Sequence, residues 1–132
     1  MPVDQSLVGR EFPPTRPHVV TAEHVAAFAA AAGADYSGGA APATYPIVLS
    51  FDAMFAFLDA EGIELHRIVH GDQSFAYERP IVPGDTLSAT LGVKSVRSIG
   101  GNDIIGTRSE IRDADGALVC TTTATLVHRG GA

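Results

Sequence analysis

Apolar and polar positions follow two different periods along this chain, and the change comes near residue 66. Before it, Val25, Phe28, Ala29 and Ala32 recur at helical spacing. Thr21 supplies a hydroxyl to cap such a helix, Glu23 suits its positive end, and Gly33 stops it. A short amphipathic helix is predicted there. Ahead of it, Pro13, Pro14 and Pro17 fix φ and push their preceding residues out of the helical region, so the leading segment is expected to run extended over the surface. Residues 34–44, ADYSGGAAPAT, are small, Gly-rich and without period, and predict a loop.

A second helix is predicted over Tyr45–Glu61, with Pro46 near its first turn and Gly62 at its end. Ile47, Phe51, Met54, Phe55 and Leu58 form an apolar stripe. Val48, Leu49, Ala53, Ala56 and Phe57 leave little polar surface beyond Ser50, Asp52, Asp59 and Glu61. A helix apolar nearly all round is expected to be buried. Asp52 within it then needs a subunit interface or a helix-end N–H, because a carboxylate in an apolar place is costly without a partner. After the change the period is two, over His66–Arg79, Thr86–Arg97, Asp103–Arg112 and Ala117–His128; Leu87, Ala89, Leu91 and Val93 share one face. Turn signals at Pro80–Asp85, Gly100–Asp103 and Asp113–Gly116 separate these runs. Four strands in hairpin succession give an antiparallel meander, and the greasy helix must be wrapped by it. The expectation is an α+β hot-dog fold, an antiparallel sheet around a central buried helix, with residues 1–132 as one domain.

Composition narrows the function classes. A chain of 132 residues can bury roughly two-thirds of its unfolded surface, enough for one core. Charged residues make up 18%, a thin polar covering that favours an oligomer. With 15 acidic against 9 basic residues the net charge is −6, and no basic stripe is present to meet phosphates, so neither nucleic acid nor membrane is an expected partner. Cys120 has no second cysteine for a disulfide or thiolate metal site, which suits a reducing cytoplasm. Neither a signal peptide nor a membrane span is expected from the apolar runs.

The stretch HGDQSFAYERPIVPGD, His70 to Asp85, resembles the MaoC-like family in its FAS1-type dehydratase branch, where such a strand runs into a Pro-x-x-x-Gly-Asp turn, here Pro80, Gly84 and Asp85. SLVGREFPP at 6–14, PATYPIVL at 42–49, GNDII at 101–105 and VCTTTATLV at 119–127 resemble the actinobacterial branch in the same order. That group includes (3R)-hydroxyacyl-carrier-protein dehydratases in which a degenerate acyl-holding subunit pairs with a catalytic one. The resemblance implies hydro-lyase chemistry on a (3R)-hydroxyacyl or 2-enoyl thioester of coenzyme A or acyl carrier protein. It implies no cofactor and no metal, and a homodimer, or a heterodimer with a catalytic MaoC-like subunit, paired sheet edge to sheet edge.

In that family an Asp and a His, in a loop reading roughly Gly-Asp-x-Asn-Pro-x-His after the first helix, move the protons of the reaction. Here the stretch is Gly33-Ala34-Asp35-Tyr36-Ser37-Gly38-Gly39; Ala34 stands where the Asp is expected, and no His occurs between His24 and His66. The loop is also short, so the resemblance implies a subunit lacking its own catalytic pair. A shift of one residue would let Asp35 replace the Asp, with Tyr36 or Ser37 as donor, against the plain reading of a loop Asp bonded to its own backbone. His70 beside Gly71, where bare backbone lets a ligand approach, is the candidate imidazole; the plain reading is a half-buried strand His. Asp85 is read as organising its turn. Tyr36, Pro42, Thr44, Tyr45, His70 and Gly71 are the candidate substrate-binding residues. Tyr45, Phe51, Phe55, Phe57, Phe75 and Tyr77 are candidates to line an acyl tunnel, and N–H groups at the start of the Tyr45 helix to hold the thioester oxygen. Three functions stay open: an acyl-thioester-binding subunit acting with a catalytic partner, a self-sufficient hydratase or thioesterase using Asp35 and His70, and a non-enzymatic acyl-thioester carrier or sensor.

Overall fold

The computed structural model describes residues 3–130. A two-residue strand β1 (His18–Val19) leads into helix α1 (Ala22–Ala31), then helix α2 (Ile47–Ala60) and strands β2 (Ile68–Tyr77), β3 (Thr86–Ile99), β4 (Asn102–Asp113) and β5 (Leu118–His128). The sequence marks α1 well. The Thr21 hydroxyl accepts the His24 N–H at 3.1 Å, and Gly33 takes a φ of 79° just past the helix end, a conformation that suits glycine.

All pairings in the five-stranded sheet are antiparallel, in the order β1-β3-β4-β5-β2. This corrects the simple meander. Strands β3, β4 and β5 are joined as hairpins, but β2 crosses to the far edge and pairs with β5, from Ile68 opposite His128 to Tyr77 opposite Cys120. A period of two is identical whichever neighbour a strand takes, so the sequence does not reveal this. Closing the far edge lets the sheet curl around α2, and the crossing segment after β2 is tied down by Arg79, which reaches Asp85 at 2.9 Å and Asp113 at 3.3 Å. Asp85 also accepts the Val82 N–H at 2.9 Å, which fits its expected role in the turn.

The leading segment is extended, as its prolines require, but it does more than lie on the surface. The N–H groups of Gly9, Phe12 and Thr15 donate to the carbonyls of Val93, Leu91 and Ala89, covering the edge of β3. Leu7, Phe12 and Val20 are buried in the core. Proline removes its own N–H and leaves the alternating ones free to pair.

Helix α2 packs on the concave face of the sheet with Leu49, Ser50, Ala53, Met54, Phe57 and Leu58 buried. Burial on every side, expected from composition, does not occur. Phe55 is 46% exposed, Phe51 and Val48 are half-buried, and Asp52 is exposed in the single chain. One curled sheet covers one side of a helix, and the other side keeps its apolar residues uncovered in the single chain. Opposite α2, Leu87, Ala89, Leu91 and Val93 share the inward face of β3, as expected. Cys120 is buried beside them, and burial pushes its thiol up to about 11, so it stays protonated. Among the described residues no helix is long and apolar enough to cross a membrane.

Phe57 is fully buried and meets the Phe12 ring edge-on at 5.0 Å, joining α2 to the leading segment. Phe57→Ala is expected to destabilise the protein by about 3–5 kcal/mol, read from urea unfolding midpoints. A change below 1 kcal/mol would mean that this packing does not hold the fold.

Candidate functional site

The loop from Ala34 runs back under β2 and delivers the chain to α2. The Ala41 N–H donates to the Ile81 carbonyl at 2.7 Å, and the Tyr77 hydroxyl donates to the Ala43 carbonyl at 2.6 Å. Burial pushes the Tyr77 phenol up to about 12, so it remains a donor at any physiological pH. Between these ties opens a cleft of about 420 Å³, lined by Ala41, Ala43, Tyr77, Glu78, Arg79, Pro80 and Ile81. Its size falls in the range of small-molecule sites.

The start of α2 is less open than the sequence suggests. The N–H groups of Tyr45, Ile47, Val48 and Leu49 donate to the carbonyls of Pro42, Thr44, Tyr45 and Pro46, in a tight turn that runs straight into the helix. Pro46 has no N–H. The donors without a hydrogen-bond partner among the described residues are the N–H groups of Ala43 and Thr44, one step earlier, with Ala43 on the cleft wall and Thr44 exposed. Backbone N–H groups held in this way can polarise a carbonyl oxygen without a charged side chain.

The candidate residues part company here. Asp35 is exposed and makes no hydrogen bond or ion pair among the described residues. His70 lies on β2, its ring edge-on to Phe51 at 5.8 Å, and no contact joins it to Asp35. Gly71 forms the bulge between His70 and Asp72; a Cβ there would meet the Thr125 carbonyl at 3.5 Å, so its bare side is turned to β5 and not to a ligand. Tyr36 closes its own loop, its hydroxyl donating to the Gly39 carbonyl at 2.7 Å while its ring packs on the core. Pro42 is half-buried and spends its carbonyl on Tyr45.

Tyr45 does not face the cleft. It is completely buried, with Phe28 edge-on at 5.3 Å, and its hydroxyl sits 2.9 Å from His18 Nε2 and 2.6 Å from His24 Nδ1. A phenol has one proton, so it can donate to one ring nitrogen and accept an N–H from the other ring, which couples the tautomers of the two imidazoles. Burial lowers the affinity of His18 for a proton, His24 lowers it further, and Asp52 partly offsets them. The cluster pins β1, α1 and the start of α2 together. No spacing along the chain marks it, since its members lie 27 and 21 positions from Tyr45; the one signal is a pair of histidines flanking a helix cap.

A carboxylate and an imidazole also approach each other at the far end of α2. His128 Nδ1 lies 3.8 Å from Asp103 Oδ2 beside a cavity of about 220 Å³ that includes Glu61, Glu64 and Arg67. That separation exceeds a hydrogen bond. Asp103 is already engaged by the Ser98 hydroxyl at 2.6 Å and the Val3 N–H at 2.7 Å, and burial favours neutral His128.

Residues 6–122 match the family described as FAS1-like, dehydratase domain region. A UPF0336 protein of Saccharopolyspora erythraea is 38% identical, over an alignment of 148 positions that covers all of this chain and 95% of the relative. Among solved structures, the C-terminally truncated HadBC (3R-hydroxyacyl-ACP dehydratase) complex of Mycobacterium tuberculosis superposes with a TM-score of 0.80 at 26% identity, covering 96% of this chain and 99% of that one. A MaoC-like dehydratase gives 0.77 at 25% identity, covering 96% of this chain but 43% of the longer neighbour. These agree with the curled antiparallel sheet of the hot-dog fold.

Because the folded protein resists protonating His18 below its ordinary value of 6.5, the unfolded chain binds the proton first as pH falls. The stability contributed by neutral His18 is therefore complete above about 6.5 and is lost as pH drops through the lower folded value. Urea midpoints measured from pH 8 to 5 should decline in that window. His18→Gln should flatten part of the decline, the remainder coming from His128, which is lowered by burial in the same way. An identical slope in the variant would remove His18 from this role.

Proposed function

The chain belongs to the FAS1-like dehydratase family, and from that premise we propose that it is a MaoC-like subunit that binds acyl thioesters without an acid–base pair of its own. Its ligands are (3R)-hydroxyacyl or 2-enoyl thioesters, the pantetheine arm being that of coenzyme A or of acyl carrier protein. The observation that carries this reading is the contrast at one place in the fold. The loop of residues 34–44 brings no histidine, and its Asp35 points to solvent unpartnered, while two backbone donors at Ala43 and Thr44 stand free beside a ligand-sized cleft. Binding geometry survives where proton-transfer groups do not. The alignment with the Saccharopolyspora relative, 148 positions against 132 residues, supports a chain from which residues have been lost.

Turnover then needs a second subunit. Among the described residues the outer edge of β2 is unpaired, and Val69 on that strand leaves apolar surface exposed, which supports pairing with a second hot-dog domain edge to edge. Two neighbours support the same arrangement: a complex of the HadBC type, and a longer MaoC-like chain of which this one spans less than half. A catalytic MaoC-like partner would supply the Asp and His; this subunit holds the thioester and completes the wall of the slot. The buried, unpaired Cys120 fits a cytoplasmic setting.

Purified alone, the protein is expected to bind crotonyl-CoA in calorimetry and to leave it unhydrated. Hydration should appear once the subunit that co-purifies from the native host is added, and Asp35→Asn or His70→Gln should leave that rate within about twofold, since neither moves a proton. Robust hydration or hydrolysis by this chain alone, abolished in either variant, would establish a self-sufficient enzyme. Binding with no turnover beside any partner would establish a carrier or sensor.

A further inference from the structure

The turn that opens α2 is built from N–H groups reaching back three residues. Tyr45 donates to the Pro42 carbonyl at 2.9 Å, Ile47 to Thr44 at 3.0 Å, Val48 to Tyr45 at 3.1 Å and Leu49 to Pro46 at 3.1 Å. One member of the series is missing. The Ala43 carbonyl would take its bond from residue 46, and that residue is a proline without an N–H. The Tyr77 hydroxyl, arriving from the end of β2, donates to this carbonyl at 2.6 Å and closes the series from outside the turn.

That bond does more than satisfy a carbonyl. The Ala43 carbonyl and the Thr44 N–H belong to one peptide unit, which is planar and, like every peptide bond among the described residues, trans. The two groups therefore point to opposite sides of the chain, and fixing one fixes the other. With its carbonyl drawn to Tyr77, the unit presents the Thr44 N–H on the far side, at an exposed residue. The preceding unit is set in the same way, since Tyr45 holds the Pro42 carbonyl and so aims the Ala43 N–H. Each free donor is oriented by a hydrogen bond to the carbonyl at its back, one made within the turn and one supplied by a side chain from a strand. Without the Tyr77 hydroxyl, the Ala43 carbonyl would turn toward water for a donor and carry the Thr44 N–H with it.

We propose that Tyr77 is a positioning residue for the thioester: its hydroxyl stands in for the N–H that Pro46 lacks and locks the Ala43–Thr44 peptide with the Thr44 N–H aimed at the substrate carbonyl. This role rests on the acyl-thioester reading above and deepens it. Tyr77 acts through the backbone and touches no reacting atom. Burial, which pushes its phenol up to about 12, keeps the hydroxyl protonated and donating.

Calorimetric titration with butyryl-CoA and with coenzyme A, which has the same pantetheine arm and no thioester carbonyl, separates this role from general support of the cleft. Tyr77→Phe removes one oxygen and keeps the ring; it should weaken butyryl-CoA about five- to tenfold, the worth of one hydrogen bond, and leave coenzyme A within about twofold. The infrared stretch of an isotope-labelled thioester carbonyl should rise in frequency in this variant as a donor is lost. Pro46→Ala added to Tyr77→Phe returns an N–H to position 46 and should recover most of the lost affinity and the parent frequency. Urea midpoints close to the parent show that both variants are folded. Butyryl-CoA bound as tightly by Tyr77→Phe as by the parent, coenzyme A weakened to the same extent, or a folded double variant no better than the single one would overturn the positioning role while leaving the acyl-thioester reading intact. Butyryl-CoA bound no better than coenzyme A by the parent protein would overturn both.

Discussion

Everything in this protein depends on a helix with more apolar surface than its own sheet can cover. Helix α2 gives Leu49, Ala53 and Phe57 to the concave face, and the curl of five strands seals that side. Phe55, Phe51 and Val48 remain toward the outside, beside the open edge of β2. Apolar area of this kind is favourably removed from water at an interface or by a ligand.

The start of α2 has to be fixed for the cleft beside it to hold anything. It is fixed from behind by Tyr45, whose hydroxyl is shared by His18 and His24, and from in front by Tyr77 and Ile81, which hold the loop at Ala43 and Ala41. The turn between these anchors spends its later N–H groups on its own carbonyls and leaves two earlier ones free. Preorganised backbone donors of this sort cost no reorganisation when a carbonyl arrives. They would serve a holding subunit as well as a catalytic one.

Much of the fold was legible in the residues, and the exceptions share a cause. The cap at Thr21, the stop at Gly33 and the alternation of Leu87, Ala89, Leu91 and Val93 are local patterns, and each stands in the structure where the pattern put it. What failed was long-range. The partner of β2 and the burial of the Pro-rich leading segment along β3 depend on which surfaces meet, and a repeat of two or 3.6 residues carries no information about that. The site divides the same way. The absence of a histidine after α1 can be read directly from the sequence, whereas the partition of Tyr45 to the core and of the free donors to Ala43 and Thr44 came from hydrogen bonds between segments.

A crystal structure of the protein with a non-hydratable butyryl-CoA thioether or ketone analogue would test the central claim most directly. The account predicts the carbonyl oxygen within hydrogen-bond distance of the Ala43 and Thr44 N–H groups, and neither Asp35 nor His70 near the reacting carbons. Asp35 and His70 converging on those carbons within one subunit would contradict it.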